Sequence, residues 1–342
     1  MRKLEVRFVS NPMHLDRNYW ADFVCNHPQG NIFQTPQMYE VYLETPNFEP
    51  VVVAAVRENH IVGILVGVIQ KVLKGVLARF SSRSVIMGGP LVGINESEVT
   101  EGILEKYDQI VKRKAIFSEF RNLYDTSGLK SSFHSVNYSY VKHLNILVDL
   151  QKSKDELWKD IEKRKRNRIR KAYKVGTEVE VEDSDEALER AYDILSHVYK
   201  RVKLPLPDRV FFENLRKKLT GNTRLKVFVA KHEGKIIGCS FSLVFNSSIY
   251  DYYAGAYSNH YEKCPNDLIP WEVFLWGKSK GYTTFDFGGA GKPDVSYGVR
   301  NYKKKFGGEF VDLGRYEKVH QPILFFFAKK AFNIWQKLKG KF

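Results

Sequence analysis

Two stretches of this chain share one pattern. Ala55-Val-Arg-Glu-Asn-His-Ile-Val-Gly63 and Ala230-Lys-His-Glu-Gly-Lys-Ile-Ile-Gly238 align without a gap, 175 positions apart in a chain of 342 residues. Each reads as a strand, a polar turn and a second strand, with Ala and Gly at matching ends. A repeat at half the chain length predicts two related α/β domains, each burying its own core, in place of one large sheet. Chance likeness between two hairpins is the competing reading. The polar and aromatic run 131–140 reads as a loop and sets the boundary, giving domains over 1–141 and 142–342.

In the first half, the spacing predicts a helix from Asp16 to Asn26 and a short helix with Pro36 in its first turn, where a missing N–H costs nothing. β-Branched runs follow over 51–56, 61–69, 73–80 and 84–87, then a helix over 95–112 and a strand over 115–123. In the second half, a strand over 143–149 leads to Ser153-Lys-Asp-Glu156, a capping box opening a helix that runs to Gly176. Helices over 186–200 and 209–219 precede a three-strand meander over 225–231, 235–245 and 248–257. A loop, a helix over 268–281 and a strand over 283–287 complete it. That is the element order of an N-acetyltransferase-like (GNAT) fold. The expected class is α/β (α+β): two tandem GNAT-like domains, mixed sheets flanked by helices, with acyl donors lying where the sheet splays between its middle strands.

The charge balance narrows the partners. Lys and Arg number 54 against 39 Asp and Glu, a net charge of +15, which favours nucleic acid, anionic lipid or phosphorylated substrates. The densest run, Lys163 to Lys171, carries Arg164, Arg166, Arg168, Arg170 and Lys171 as candidate contacts to RNA or another polyanion; a solvated helix face is the alternative. Cys25, Cys239 and Cys264 lie far apart, so neither a disulfide framework nor a metal site is implied. The start of the chain reads as a short strand and no apolar run reaches the roughly 20 residues a membrane span needs, so the expected location is cytoplasmic. Gly-x-Ser-x-Gly, His-Glu-x-x-His and Walker patterns do not occur, which removes sequence support from hydrolase, zincin and ATPase readings.

The expected reaction centre is the stretch from Phe285-Asp-Phe-Gly-Gly-Ala-Gly291 to Tyr302-Lys-Lys-Lys-Phe-Gly-Gly308, where glycines admit a ligand close to backbone and lysines supply charge. In CoA-dependent acetyltransferases, backbone N–H groups of a glycine-bearing loop before a helix hold the pyrophosphate. The corresponding segment here, Tyr261-Glu-Lys-Cys-Pro-Asn-Asp-Leu268, has no glycine and places an acid where phosphate would sit. It argues for a different acyl carrier.

Several motifs in order resemble the Fem family, non-ribosomal transferases that pass an amino acid from aminoacyl-tRNA to a side-chain amine of a peptidoglycan precursor. They are Phe33-Gln-Thr-Pro36, Gly88-Gly-Pro90, Arg164 to Lys171 before Gly176, Tyr253-Ala-Gly255, Pro265-Asn-Asp-Leu-Ile-Pro-Trp271, Gly281-Tyr-Thr-Thr-Phe-Asp-Phe-Gly-Gly289 and Tyr302 to Gly308. The family is built from two GNAT-like domains. Its catalytic Phe-Lys pair falls on Tyr302-Lys303, which assigns Lys303 to the charge developing on the acyl oxygen and Tyr302 to positioning. Gln34, Arg83, Arg201, Tyr253, Asn266, Trp271 and Arg300 are the candidate acceptor contacts. The resemblance implies no tightly bound cofactor, aminoacyl-tRNA (or acyl-CoA) as co-substrate, and a nucleotide- or lipid-linked envelope precursor as partner.

Two departures stand out. Tyrosine replaces phenylalanine at 302, and the helical hairpin that many members insert to hold tRNA is replaced by the turn Thr220-Gly-Asn-Thr223. Acyl-CoA-dependent transfer to a sugar amine, or a non-catalytic RNA- or membrane-binding role on the same scaffold, are the competing functions. The final helix, over 322–339, sets Leu324, Phe327, Ala331, Trp335 and Leu338 on one face amid lysines, a stripe that docks on its own core or lies peripherally on an anionic membrane.

Overall fold

The computed structural model describes residues 5–71, 81–182 and 184–339, from 331 onward as backbone only. The expected strand over 73–80 lies outside the described residues, as do the side chains of Ala331, Trp335 and Leu338 in the final helix. The chain forms two compact units, Met1–Val141 with Leu313–Phe342, and Lys142–Asp312.

The first unit opens with β1 (Arg7–Val9), α1 (Arg17–Asn26, capped by the Asp16 carboxylate) and α2 (Pro36–Leu43, capped by Thr35). Next come β2 (Phe48–Arg57), β3 (His60–Lys71), β4 (Ser82–Met87), β5 (Leu91–Val92), α3 (Ser97–Val111) and β6 (Phe117–Arg121). The segment read as loop holds α4 (Lys130–Ser135) and β7 (Ser139–Val141). Its polar residues concealed a short helix whose Phe133 stacks on Tyr316 and meets Phe120 and Tyr138 edge-on in the core. Gln34 closes a gap in this sheet. The β3–β4 ladder ends at Gly67 and Ile86, and the Gln34 amide then bridges the two strands, donating to Val66 O and Met87 O and accepting from Val66 N.

The second unit contains β8 (Leu144–Asp149), α5 (Lys154–Asp160), α6 (Lys163–Lys174), β9 (Thr177–Glu182), α7 (Asp185–Val202) and α8 (Arg209–Lys218). It continues with β10 (Thr223–His232), β11 (Lys235–Phe245), β12 (Ser248–Ala256), α9 (Pro265–Ser279), β13 (Thr284–Gly289), α10 (Gly298–Lys304) and β14 (Glu309–Asp312). Ser153 and Glu156 form the expected capping box. The single helix expected up to Gly176 is two, because Ile161 takes extended backbone and buries its side chain in the core.

The repeat is a true structural correspondence. Both hairpins turn through two residues of positive φ, Glu58 and Asn59 in one and Glu233 and Gly234 in the other. Both carry an irregularity one step further in: pairing shifts from Ala55↔Gly63 to Val56↔Ile61, and from Ala230↔Gly238 to Lys231↔Ile236. Among the described residues, each sheet then has one parallel junction, β4 with β6 and β12 with β13.

After β14 the chain returns to the first unit as β15 (Arg315–Val319) and α11 (Pro322–Lys339). β15 pairs with β6 on one side and β7 on the other, so the first sheet is completed by a strand from beyond the second unit. This corrects the expected assignment of 313–342 to the second domain. Lys318 pairs with the Asp108 carboxylate and donates to Val136 O at 2.7 Å, fixing the returning strand.

Candidate active site

The sheet of the second unit splays where a GNAT fold requires it. β12 and β13 pair in parallel from Ser248↔Thr284 to Tyr250↔Asp286, and their ladder stops there although β12 runs on to Ala256 and β13 to Gly289. An extra residue in β12 between Asp251 and Tyr253 and a register shift in β13 between Asp286 and Gly289 widen the gap. Gly288 has φ +72°, which a side chain would strain, and its N–H donates to Asp286 Oδ1 at 2.6 Å.

That kink turns two carbonyls toward Lys303. Its ammonium, carried on α10, donates to Phe287 O and to Gly289 O at 3.1 Å. An ammonium has three N–H donors, so one remains for a ligand atom. Burial lowers the Lys303 pKa, while the carboxylates of Asp251 and Asp286 oppose the shift. Asp286 is buried beside Asn145, 3.5 Å away, and burial pushes its carboxyl up to about 6 against the pull of the Gly288 N–H, Lys303 and Asn145. Burial raises Asp251 as well, opposed by Lys303 and by Ser240, whose hydroxyl donates at 3.3 Å. The splay therefore ends in an ammonium flanked by two acids in a dry setting, suited to stabilising an oxyanion.

Tyr302 takes a supporting place. Its hydroxyl donates to Asn266 O at 2.5 Å, its ring meets Phe306, and the Lys165 ammonium sits 4.3 Å above it. Lys165 also pairs with Asp267, whose other oxygen accepts from Arg168 Nε at 2.6 Å. Asp267 lies in the first turn of α9, so the helix terminus that would hold a pyrophosphate already carries a buried carboxylate tied to two cations.

The expected contacts are divided between the two units. Gln34 and Trp271 are core residues, a correction to their assignment: the first is committed to strand backbone and the second packs on Trp158 at 4.9 Å. Arg83, in the first unit, donates to Gln70 Oε1. Asn266 O accepts from the hydroxyl of Tyr302, the residue before Lys303. Tyr253 packs against Tyr199 and Phe212, Arg201 holds Tyr261 OH at 2.6 Å, and Arg300 ties Lys292 O and Val295 O. In the basic run, Arg166 donates to Trp158 O and Lys159 O at the end of α5, and Arg170 lies over Trp158; Arg164 and Lys171 are exposed. The residues not singled out as site members are Asp251, Asn145, Lys165 and, inside the expected reaction-centre stretch, Asp286. The signal for the two acids was a lone carboxylate between aromatic neighbours in an apolar strand. Among the described residues no cluster of His, Cys, Asp and Glu could hold a metal, and no helix is long and apolar enough to cross a membrane.

Comparison with known proteins agrees with this fold. Residues 159–304 match the acetyltransferase (GNAT) domain family. The chain is 21% identical to a lipid II:glycine glycyltransferase of Staphylococcus epidermidis over 96% of its own length and 99% of the relative's. That alignment spans 421 positions, more than the 342 residues here, so the relative carries insertions. Among solved structures, FemX superposes with a TM-score of 0.71 at 18% identity, covering 95% of this chain and all of that one. A tandem GNAT protein of the clavulanic acid pathway superposes with a TM-score of 0.59 at 10% identity, covering 92% and 99%. With its GNAT-domain match and its full-length likeness to a glycyltransferase and to FemX, the chain is an acyltransferase similar to the Fem transferases.

Proposed function

We propose that the protein transfers an aminoacyl group from aminoacyl-tRNA to an amine of a peptidoglycan or other cell-envelope precursor, carried on a nucleotide or a lipid. The observation that carries this reading is Lys303, held by Phe287 O and Gly289 O where β12 and β13 part, with a donor to spare. The amine attacks the ester carbonyl carbon and the carbonyl oxygen takes up negative charge. Lys303 stabilises that charge. Collapse breaks the ester C–O bond, forms the amide and releases the ribose hydroxyl, to which the proton lost by the amine passes; Asp251 and Asp286 line its route. Similarity to a glycyltransferase named for lipid II supports a lipid-linked acceptor. The donor confines the reaction to the cytoplasm, and such an acceptor to the inner face of the membrane.

Incubation with charged tRNA and a panel of nucleotide- and lipid-linked muropeptides should consume the aminoacyl ester and add the aminoacyl mass to one acceptor. Ester that persists with every acceptor, under conditions in which a known Fem enzyme turns over, would sink the proposal. The acetyltransferase-domain match favours acyl-CoA as a second donor, whereas the Asp267 carboxylate in the first turn of α9 opposes it. Calorimetric titration with acetyl-CoA separates them: micromolar binding supports CoA, and no heat supports the aminoacyl donor.

A further inference from the structure

Over its described side chains, helix α11 is fixed to the first unit by one side. Phe325 meets Phe117 edge-on at 5.4 Å, and the Gln321 amide donates to Lys112 O and Ala115 O at the end of α3. The opposite side is apolar and open. Ile323 is 73%, Phe326 54% and Phe327 60% exposed, and Val319, just before the helix, is 40% exposed. Positions 323, 326, 327 and 330 fall on one helical face, spaced by three, four and seven residues. A soluble domain has no reason to hold three large side chains there, because each forfeits the burial that drives folding.

The surrounding charge identifies what covers them. From Lys318 to the last residue the sequence has six lysines and no Asp or Glu. Lys329 and Lys330 are exposed, and the Lys330 ammonium lies 4.7 Å from the Phe326 ring, a stem along the apolar face with its charge at the rim. Lys112, Arg113 and Lys114 are exposed beside the Gln321 anchor, Lys114 pairing with Glu49. Exposed aromatic and aliphatic side chains rimmed by cations, on a helix that is itself held to the protein, match the interfacial zone of an anionic bilayer, where apolar groups enter the acyl boundary and lysines meet lipid phosphates.

We propose that α11 is a membrane-surface anchor, seating Ile323, Phe326 and Phe327 in an anionic phospholipid bilayer. It deepens the reading of a lipid-linked acceptor, but its test needs neither donor nor acceptor, so either can fail alone. The test is co-sedimentation of the full chain with vesicles of equimolar phosphatidylglycerol and phosphatidylcholine, and with vesicles of phosphatidylcholine alone. The wild-type chain should bind the anionic vesicles, bind the neutral ones far less, and lose affinity as salt rises. Phe326→Ser with Phe327→Ser should weaken binding at least about tenfold, since each phenylalanine carries a large apolar surface into the bilayer. Lys329→Gln with Lys330→Gln should weaken it several-fold and flatten the salt dependence. Both doubles should melt at the wild-type temperature, because the altered side chains touch solvent. Binding that ignores charge, or survives both doubles, overturns the proposal. So does a soluble dimer that the serine double dissociates, which would make a second copy the occupant.

Discussion

Asp267 and Arg168 meet at 2.6 Å, Oδ2 to Nε, with Lys165 on the other carboxylate oxygen. Two members of the densest basic run thus face inward to a buried acid, and the acid occupies the helix terminus that CoA would use. Removing one partner of a buried pair leaves an uncompensated charge, which typically costs about 3–5 kcal/mol. Asp267→Ala should therefore destabilise the second unit by about 3 kcal/mol, read as a shift in its urea midpoint. A loss under about 1 kcal/mol, the worth of a surface ion pair, would show that the three charges are solvated in solution.

Lys303 should behave as an electrostatic catalyst and not as a substrate clamp. Lys303→Ala should lower kcat by about 10²–10³ with a much smaller change in KM, since an oxyanion donor acts chiefly in the transition state. Because burial depresses its pKa below the ordinary 10.5, wild-type kcat should fall on the alkaline side before pH 10.5 as the ammonium deprotonates. A KM effect without a kcat effect would move Lys303 to acceptor binding.

The two-unit plan was readable because a type I′ turn with a following irregularity leaves the same Ala, Glu and Gly in both hairpins. Strands and caps were readable for similar local reasons, as with Ser153 and Glu156. What could not be read was non-local. Nothing in Arg315–Val319 says that it pairs with Phe117–Arg121, about two hundred residues earlier, and Gln34 looks like a ligand contact until Val66 and Met87 are seen on either side of it. In the site, Lys303 was found by resemblance. Asp251 was not found, because its partner Lys303 lies on a distant helix and only the splay brings them close. The basic run itself carries no sign of two sides, whereas Asp267, ninety-nine residues past Arg168, divides the helix into an inner and an outer side.

Asp286 makes stability fall as pH rises. Its carboxyl binds a proton more tightly folded, at about 6, than unfolded, at 3.8, so the folded state holds more protons between those values and loses stability as pH increases through them. The full effect is about 3 kcal/mol, at 1.36 kcal/mol for each pH unit. Asp286→Asn keeps an acceptor for the Gly288 N–H and removes the titration. The variant should match wild type near pH 3 and exceed it by up to about 3 kcal/mol at pH 7, measured by urea unfolding at both. Equal wild-type and variant stability at pH 7 would show the carboxylate to be fully solvated or fully paired.

Gly63 and Gly238 occupy equivalent places in the repeat but differ in what surrounds them. A methyl group at 63 would meet Ile103 Cδ1 at 2.8 Å and the Cγ1 atoms of Val92 and Val99 at 3.0 and 3.1 Å, all side-chain ends that can rotate away. At 238 it would meet Pro265 Cβ at 2.9 Å and Ala256 Cβ at 3.2 Å, atoms fixed to backbone at the start of α9 and the end of β12. Neither glycine has positive φ, so alanine is conformationally allowed at both and gains about 0.4–1 kcal/mol by restricting the unfolded chain. Against that gain stands overpacking, typically about 1–3 kcal/mol where neighbours cannot yield. Gly63→Ala should therefore be close to neutral and Gly238→Ala should destabilise by about 1–2 kcal/mol, read as urea midpoints of the two variants. Since Pro265 begins the helix that carries Asp267, the second substitution should also slow transfer, and the first should leave it unchanged. Equal stability losses at the two sites would mean that α9 shifts on its sheet as freely as the side chains of α3 repack.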